Sequence, residues 1–304
     1  MENLRKYKIA VVQMDSRNDK GANLKYACQC IDEAAANGAK LISFPEIMNL
    51  SGENVGEGGG HETIPGYTTE ILMAKAKEHK MYIHSGSFCK VVEGENRAYN
   101  TSVIIDPEGA IIGEYHKLHP FDITMPDGSV NKESDRIRPG DEIVVTDTAL
   151  GKLGMSICYD IRFPELYRIM TLEGAQVIFT PASFTMSTGK EHWECILRTR
   201  AIENACYIVA ADQIGQKRAF PAYGHSMVID PWGTVIAKAR DEAGMFYADI
   251  DLDYEDKVRQ KVPVLENRRA DIYEVNGELE KSMQMVQLAH KRSSIGKMIL
   301  YRQV

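Results

Sequence analysis

Residues 153–166 read Leu-Gly-Met-Ser-Ile-Cys-Tyr-Asp-Ile-Arg-Phe-Pro-Glu-Leu. The run 153–158 has the length and apolar character of a buried strand, and it ends on Cys158. A helical pattern follows over residues 163–172, with Pro164 near its start, where the missing N–H costs nothing. A thiol between a strand end and a helix start lies where α/β proteins expose reactive groups. The helix N-terminus and any nearby lysine would favour the thiolate. A lone cysteine is more often a small buried hydrophobe, so position alone leaves both readings open.

Outward from this stretch, strand-like and helix-like segments alternate. Apolar strands are expected at residues 9–12, 41–44, 81–88, 143–146, 177–180 and 207–211. Helical periods fall at 22–36, which Gly38 stops, at 68–79 and at 193–205. Residues 102–105 and 110–115, joined by Pro107-Glu108-Gly109, read as a hairpin. Three more strands, near 226–230, 234–239 and 245–250, close the pattern, with Pro231-Trp232-Gly233 as a turn. This mixed order of crossovers and hairpins predicts an α/β protein in which helices cover the outer faces of two stacked mixed sheets. One domain is expected over residues 1–275. Residues 276–304 change character: they are rich in Met and Lys, with a helical pattern around Met283, Val286, Leu288 and Ala289. They read as a C-terminal extension that packs at a subunit interface or stays on the surface.

The chain has 304 residues, 44% of them apolar, enough for a sizeable core. A net charge of −7 and a pI of about 5.7 argue against nucleic acid or anionic membrane as the main partner. No apolar stretch approaches the roughly 18–20 residues of a membrane span, and no signal-peptide pattern opens the chain. Six cysteines are too few for a disulfide scaffold, and Cys28 and Cys30 fit as small apolar residues on a helix. These features place the protein in the cytoplasm. His116 and His119 lack a neighbouring cysteine or carboxylate pattern for zinc, so hydrogen-bonded roles are expected; no metal and no cofactor is expected. The glycine-rich loop 51–63 lacks the lysine-plus-hydroxyl of a phosphate loop. A second long loop, 118–140, begins directly after Lys117, and loops of that length are commonly functional. Trp193, Tyr223 and Phe184 are either pocket or core aromatics.

Two further strand ends carry chemistry. Glu46 follows the strand at 41–44, and Lys117 follows the strand at 111–116. Each alone reads more readily as a solvated surface charge, Lys117 above all. Together with Cys158 they supply a nucleophile, a proton acceptor and a positive charge for an oxyanion, the parts that acyl transfer needs.

Five blocks carry a resemblance: Phe44-Pro45-Glu46; His116-Lys117-Leu118; Cys158-Tyr159-Asp160-Ile161-Arg162-Phe163-Pro164-Glu165-Leu166; Arg200-Ala201-Ile202-Glu203-Asn204; and Gly224-His225-Ser226-Met227-Val228-Ile229-Asp230-Pro231-Trp232-Gly233. Over residues 6–273 the chain resembles the nitrilase (carbon–nitrogen hydrolase) superfamily, and most of all its Nit-type amidases, the ω-amidase and deaminated glutathione amidase branch. The resemblance implies an α-β-β-α sandwich assembled as a homodimer or higher homo-oligomer. It implies a Glu46–Lys117–Cys158 triad that hydrolyses a small-molecule amide, with Glu133 as a second glutamate, Asn100 in support, and the Tyr159 N–H beside the oxyanion. Arg162 either binds a substrate carboxylate or pairs with Asp160 or Glu165 inside the protein. Competing readings are an N-carbamoyl amino acid amidohydrolase, an aliphatic amidase or a nitrilase of the same fold. Outside catalysis, a silent scaffold or a redox-sensing thiol remain.

Overall fold

The computed structural model describes residues 4–51, 60–124, 128, 130–273 and 275. The loop expected at 51–63 therefore falls largely outside the described residues, and so does the extension 276–304. Two compact units divide at Asn267. In the smaller, Arg268–Val304, the described residues form a turn in which Arg269 pairs with Asp271 at 2.6 Å. The larger, Met1–Asn267, holds the sheets and helices.

Its first sheet has the order β17 (Gly244–Asp251), β1 (Lys6–Gln13), β2 (Leu41–Ser43), β3 (Tyr82–His84), β5 (Ala98–Ile105) and β4 (Phe88–Val91), with β6 (Ile111–His116) also paired to β5. The second runs β16 (Val235–Lys238), β15 (Met227–Ile229), β12 (Tyr207–Ala210), β11 (Val177–Phe179), β10 (Gly151–Met155) and β9 (Val145–Thr148). In each sheet three central strands are parallel: β1, β2 and β3, and β10, β11 and β12. Antiparallel strands complete the edges, among them β17 on β1 and the expected β5–β6 hairpin. Two small hairpins stand apart, β7 (Asp122–Thr124) with β8 (Val130–Lys132), and β13 (Ile214–Gln216) with β14 (Pro221–Tyr223).

The two-residue period of the strands sorts the side chains into layers. On β1, Ile9 and Val11 enter the core shared with the second sheet, alongside Tyr82, Ile104, Leu153, Met155, Val177 and Phe179. Ala10 and Val12 face the opposite way, into a core with Leu24, Ala27 and Ile31 of α1 (Lys20–Ala36) and Leu72 and Ala76 of α2 (Tyr67–His79). The second sheet is covered by α3 (Pro164–Leu172) and α4 (Met186–Asn204), which contribute Leu166, Met170, Trp193 and Leu197. The result is the four-layer α-β-β-α sandwich. No helix among the described residues is long and apolar enough to cross a membrane.

Several boundaries differ from expectation for local reasons. The apolar stretch 81–88 is two strands, because the chain turns at Gly86, whose φ of +67° lies in the left-handed region. Helix α4 starts seven residues before the expected position, at the Thr185 cap, over a polar turn without apolar period. Helix α5 (Leu252–Lys261) buries only Leu252, Glu255 and Val258, too thin a stripe to register as periodic, but Asp251 caps it by accepting from the Asp253 and Tyr254 N–H groups. The long loop 118–140 contains the β7–β8 hairpin and a 3-10 helix, Glu133–Asp135.

One polar residue sits between the sheets. His84 is wholly buried, stacked on Phe179 at 4.4 Å, with Nδ1 2.9 Å from Ser43 Oγ and Nε2 2.9 Å from Ser102 Oγ. Burial pushes its imidazole down to about 3 from 6.5. Between those values only the unfolded chain binds the proton. Stability present at neutral pH is therefore lost as pH falls from about 6.5 towards 3. Urea denaturation from pH 7 to pH 4.5 should show this as a falling midpoint. His84→Gln should flatten the slope by close to one proton; an unchanged slope would assign the acid sensitivity elsewhere.

Candidate active site

Three strand ends converge where the sheets face each other. Glu46 lies three residues beyond β2 and is 4% exposed. Its Oε1 accepts from Asn100 Nδ2 at 2.8 Å and from Lys117 Nζ at 3.0 Å, and its Oε2 accepts from the Ser183 N–H at 2.8 Å. Lys117 directly follows β6 and is buried; its Nζ also reaches Glu133 Oε1 at 3.1 Å and Oε2 at 2.9 Å. Glu133, at the start of its 3-10 helix, is fixed in turn by the Phe121 N–H. One ammonium thus serves two carboxylates. Burial alone would lower its pKa, but Glu133 and Glu46 outweigh it and hold Lys117 firmly charged.

Cys158 lies three residues beyond β10 and opens the 3-10 helix Cys158–Arg162. Its φ of +48° is left-handed, and its N–H donates to Pro181 O at 2.8 Å. The thiol faces Glu46, Lys117 and the Ser183 N–H. Burial raises its pKa well above the ordinary value, the Glu46 carboxylate raises it further, and Lys117 only partly opposes them. Burial and the Glu46 carboxylate therefore favour the thiol over the expected thiolate. A carboxylate that can take the proton, an ammonium that can meet a developing negative charge, and a sulfur between them can carry acyl transfer without metal or histidine.

All three line a cavity of about 480 Å³, as do Glu133, Tyr159 and Arg162. Phe184 lines it, whereas Trp193 is core, donating from Nε1 to His225 O at 3.0 Å. Arg162 pairs with no carboxylate among the described residues. Its guanidinium lies 5.8 Å from the Tyr159 ring and 5.6 Å from the Phe184 ring, with Nη2 3.3 Å from His192 Nδ1. The histidines flanking Lys117 are hydrogen-bonded, His116 to Thr101 Oγ1 at 2.9 Å and His119 to Asp160 at 2.7 Å.

Residues 8–260 match the family model for carbon–nitrogen hydrolases. A Synechocystis protein named deaminated glutathione amidase is 40% identical over 271 residues, 87% of this chain and 99% of that protein. The Bos taurus omega-amidase NIT2 is 38% identical over 270 residues, 88% and 97% of the two chains. Among solved structures, the C. elegans NitFhit protein superposes with a TM-score of 0.84 at 37% identity, covering 90% of this chain and 68% of that one. Saccharomyces cerevisiae Nit3, of the nitrilase superfamily, gives 0.78 at 31% identity, covering 87% and 97%. The chain belongs to the carbon–nitrogen hydrolase family. It is an amidohydrolase of the Nit branch.

What holds the amidohydrolase's site in place was less visible in the sequence. Asp160, expected as a partner for Arg162, is fully buried and engaged elsewhere. It accepts from the Ile157 N–H at 2.8 Å, Tyr115 Oη at 2.6 Å, and the His119 N–H at 3.0 Å. These bonds tie the Cys158 turn to the segment carrying Lys117. An acid two residues past the strand end was the available signal. Ser183 acts through its backbone, and Gln213, which donates to Glu46 O at 2.9 Å, lies far along the chain; neither carried a sequence signal.

Gly86 supports Glu46 from behind. A Cβ there would stand 2.1 Å from Pro45 O and 2.6 Å from the Phe44 carbonyl carbon, at a φ that side chains rarely adopt. Gly86→Ala should destabilise the fold by about 1–3 kcal/mol and move the Phe44–Pro45–Glu46 segment. Thermal unfolding together with amide hydrolysis checks this: the midpoint should drop, and activity measured well below it should fall at least tenfold.

Proposed function

We propose that this amidohydrolase cleaves ω-amides of small carboxylic acids through a thioester on Cys158, typically releasing ammonia. The observation that carries the reading is that Cys158, Glu46 and Lys117 line one cavity in which Arg162 has no acidic partner among the described residues. Glu46 accepts the thiol proton as Sγ bonds to the carbonyl carbon. Lys117 and the Tyr159 N–H, at a helix start where amides lack intrahelical acceptors, hold the oxyanion. Glu46 returns the proton to the leaving nitrogen as the carbon–nitrogen bond breaks. A water then gives its proton to Glu46 and attacks the thioester; the carbon–sulfur bond breaks, and the thiol regains its proton. Glu133 orients Lys117 and contacts the substrate or the water. The Arg162 fork suits the substrate's free carboxylate. The names of the relatives support an acid-bearing amide.

The hydrolase domain is assigned to residues 1–275 and the extension to residues 276–304. Six cysteines with no disulfide among them support a reducing, cytoplasmic setting. A homodimer or higher assembly is supported by an exposed apolar face. Ile202 of α4 is 50% exposed and Trp232 is 46% exposed, and Arg198 of α4 donates to Gly233 O at 2.8 Å, which brings the Trp232 turn onto the helix. Sedimentation velocity should find an oligomer that Ile202→Asp dissociates; a monomeric wild-type chain at micromolar concentration would refute the assembly.

The decisive measurement is an ammonia-release panel of ω-amides, neutral amides of equal length, carbamoyl amino acids and nitriles. Acid-bearing ω-amides should lead. Carbon dioxide released with the ammonia would instead identify a carbamoyl substrate. Cys158→Ala should abolish turnover, and Glu46→Gln should lower kcat by about 10²–10⁴-fold. Arg162→Gln should raise KM for acid-bearing amides while sparing neutral ones. Full activity in Cys158→Ala would end the thioester mechanism.

A further inference from the structure

Past the ends of β11 and β12 their parallel ladder continues for one step and then opens. The Ala182 N–H donates to Ala211 O at 2.8 Å, and the Gln213 N–H returns to Ala182 O at 2.9 Å. The chain after β12 then crosses to the first sheet, where the Ile214 N–H donates to Met14 O at 2.8 Å. Phe184 is left without a ladder carbonyl. A side chain takes that place: Asp212 Oδ1 accepts from the Phe184 N–H at 2.9 Å. The adjacent amide, the Ser183 N–H, is the one given to Glu46 Oε2 at 2.8 Å. The next residue along, Gln213, holds the Glu46 backbone, with Nε2 2.9 Å from Glu46 O. Two consecutive residues thus serve Glu46, one at its main chain and one behind its carboxylate.

Asp212 is an expensive way to satisfy one amide. It is wholly buried, and Oδ2 has no partner among the described residues. The Gln213 and Gly224 amides beside it donate to Ala182 O and Gln213 O instead. A buried acid with an unpaired oxygen burdens the fold, so stability alone does not account for it. Burial pushes its carboxyl well above the usual carboxylate range, the Phe184 N–H opposes this, and the nearby Glu46 charge adds to it. A neutral acid accepts the amide without placing another negative charge beside Glu46.

We propose that Asp212 is a positioning residue for Glu46: by holding the Phe184 N–H it keeps the Ser183 N–H aimed at the Glu46 carboxylate, and so keeps that carboxylate turned to Cys158. Asp212 is not among the residues lining the cavity, so it acts only through the segment it holds. The inference rests on the hydrolytic reading above, in which Glu46 takes the Cys158 proton.

The test reads Cys158 without requiring turnover. Alkylation by 2-chloroacetamide forms a carbon–sulfur bond and expels chloride while the thiol proton passes to Glu46; peptide mass isolates the Cys158 adduct from those of the other cysteines. Hydrolysis of an ω-amide is measured beside it. Asp212→Ala should slow alkylation about tenfold and lower kcat by a similar factor, with KM nearly unchanged. Asp212→Asn keeps an acceptor oxygen and should stay within about twofold of wild type. In a Glu46→Gln background, Asp212→Ala should alter alkylation by less than about twofold, because the base it positions is gone. Asp212→Leu, of the same shape without the oxygens, replaces the alanine variant if that one does not fold. Equal slowing in both backgrounds, wild-type rates without the acceptor, or an Asp212→Asn as slow as Asp212→Ala overturns the inference. So does failure of both the alanine and leucine variants to fold, which makes Asp212 structural only. If alkylation follows the expected pattern while Cys158→Ala still hydrolyses amides, the thioester reading falls and the positioning of Glu46 stands.

Discussion

A single buried ammonium organises this molecule. Lys117 is 2% exposed and lies between Glu46 and Glu133. Removing three charges from water is costly unless they pair and their remaining lone pairs are satisfied. The fold answers each requirement: Asn100 and the Ser183 N–H satisfy Glu46, and the Phe121 N–H satisfies Glu133. These donors arise from different layers. Asn100 and Lys117 belong to the first sheet, while Ser183 follows β11 of the second. The ion cluster can therefore form only when the two sheets stack and the segment after Lys117 folds back to deliver Glu133. The site is a consequence of the tertiary structure, and no single element carries it.

That cluster also sets the state of Cys158. Two carboxylates against one ammonium leave an excess negative charge beside Cys158, and burial removes the water that would stabilise a thiolate. Both effects raise the thiol's pKa, and Lys117 offsets only part of them. A resting thiol suits a site whose base is already in contact. Under the proposed mechanism that proton moves only when a carbonyl arrives to receive the sulfur's electrons, and the new negative charge then falls on oxygen near Lys117 and not on sulfur.

The sequence and the structure agree where the physics is local. Cys158, Glu46 and Lys117 each follow a short strand within three residues, and strands of that kind can be read from two-residue and continuous apolar patterns. Agreement thins where the signal is non-local. Glu133 was placed only through a family resemblance, since the hairpin that presents it, Asp122–Thr124 with Val130–Lys132, is short and polar with no alternation. Asp160 was legible as an acid near the nucleophile. Its partners Tyr115 and His119 lie about 40 residues away, so Arg162 looked like a natural counter-ion. Ser183 contributes a backbone amide, which no residue type announces. Helix α5 was missed for a related reason: its charged sequence shows three buried positions and relies on the Asp251 cap.

Glu46 and Cys158 share one further constraint. Both sit next to left-handed backbone: Ile47 has a φ of +53°, and Cys158 itself has +48°. For residues with a Cβ this conformation costs about 1–2 kcal/mol each. It persists because the surrounding chain over-determines it. The Ile47 N–H donates to Ser87 Oγ at 3.0 Å, the Cys158 N–H to Pro181 O at 2.8 Å, and Asp160 takes the preceding Ile157 N–H. A left-handed residue just beyond a strand turns the chain abruptly, so the side chain there projects into the cavity instead of continuing the alternation of the sheet. Regular strand geometry would send Glu46 and Cys158 into one of the two cores. The local strain, held by hydrogen bonds from both sheets, brings a carboxylate and a thiol to the wall of one cavity.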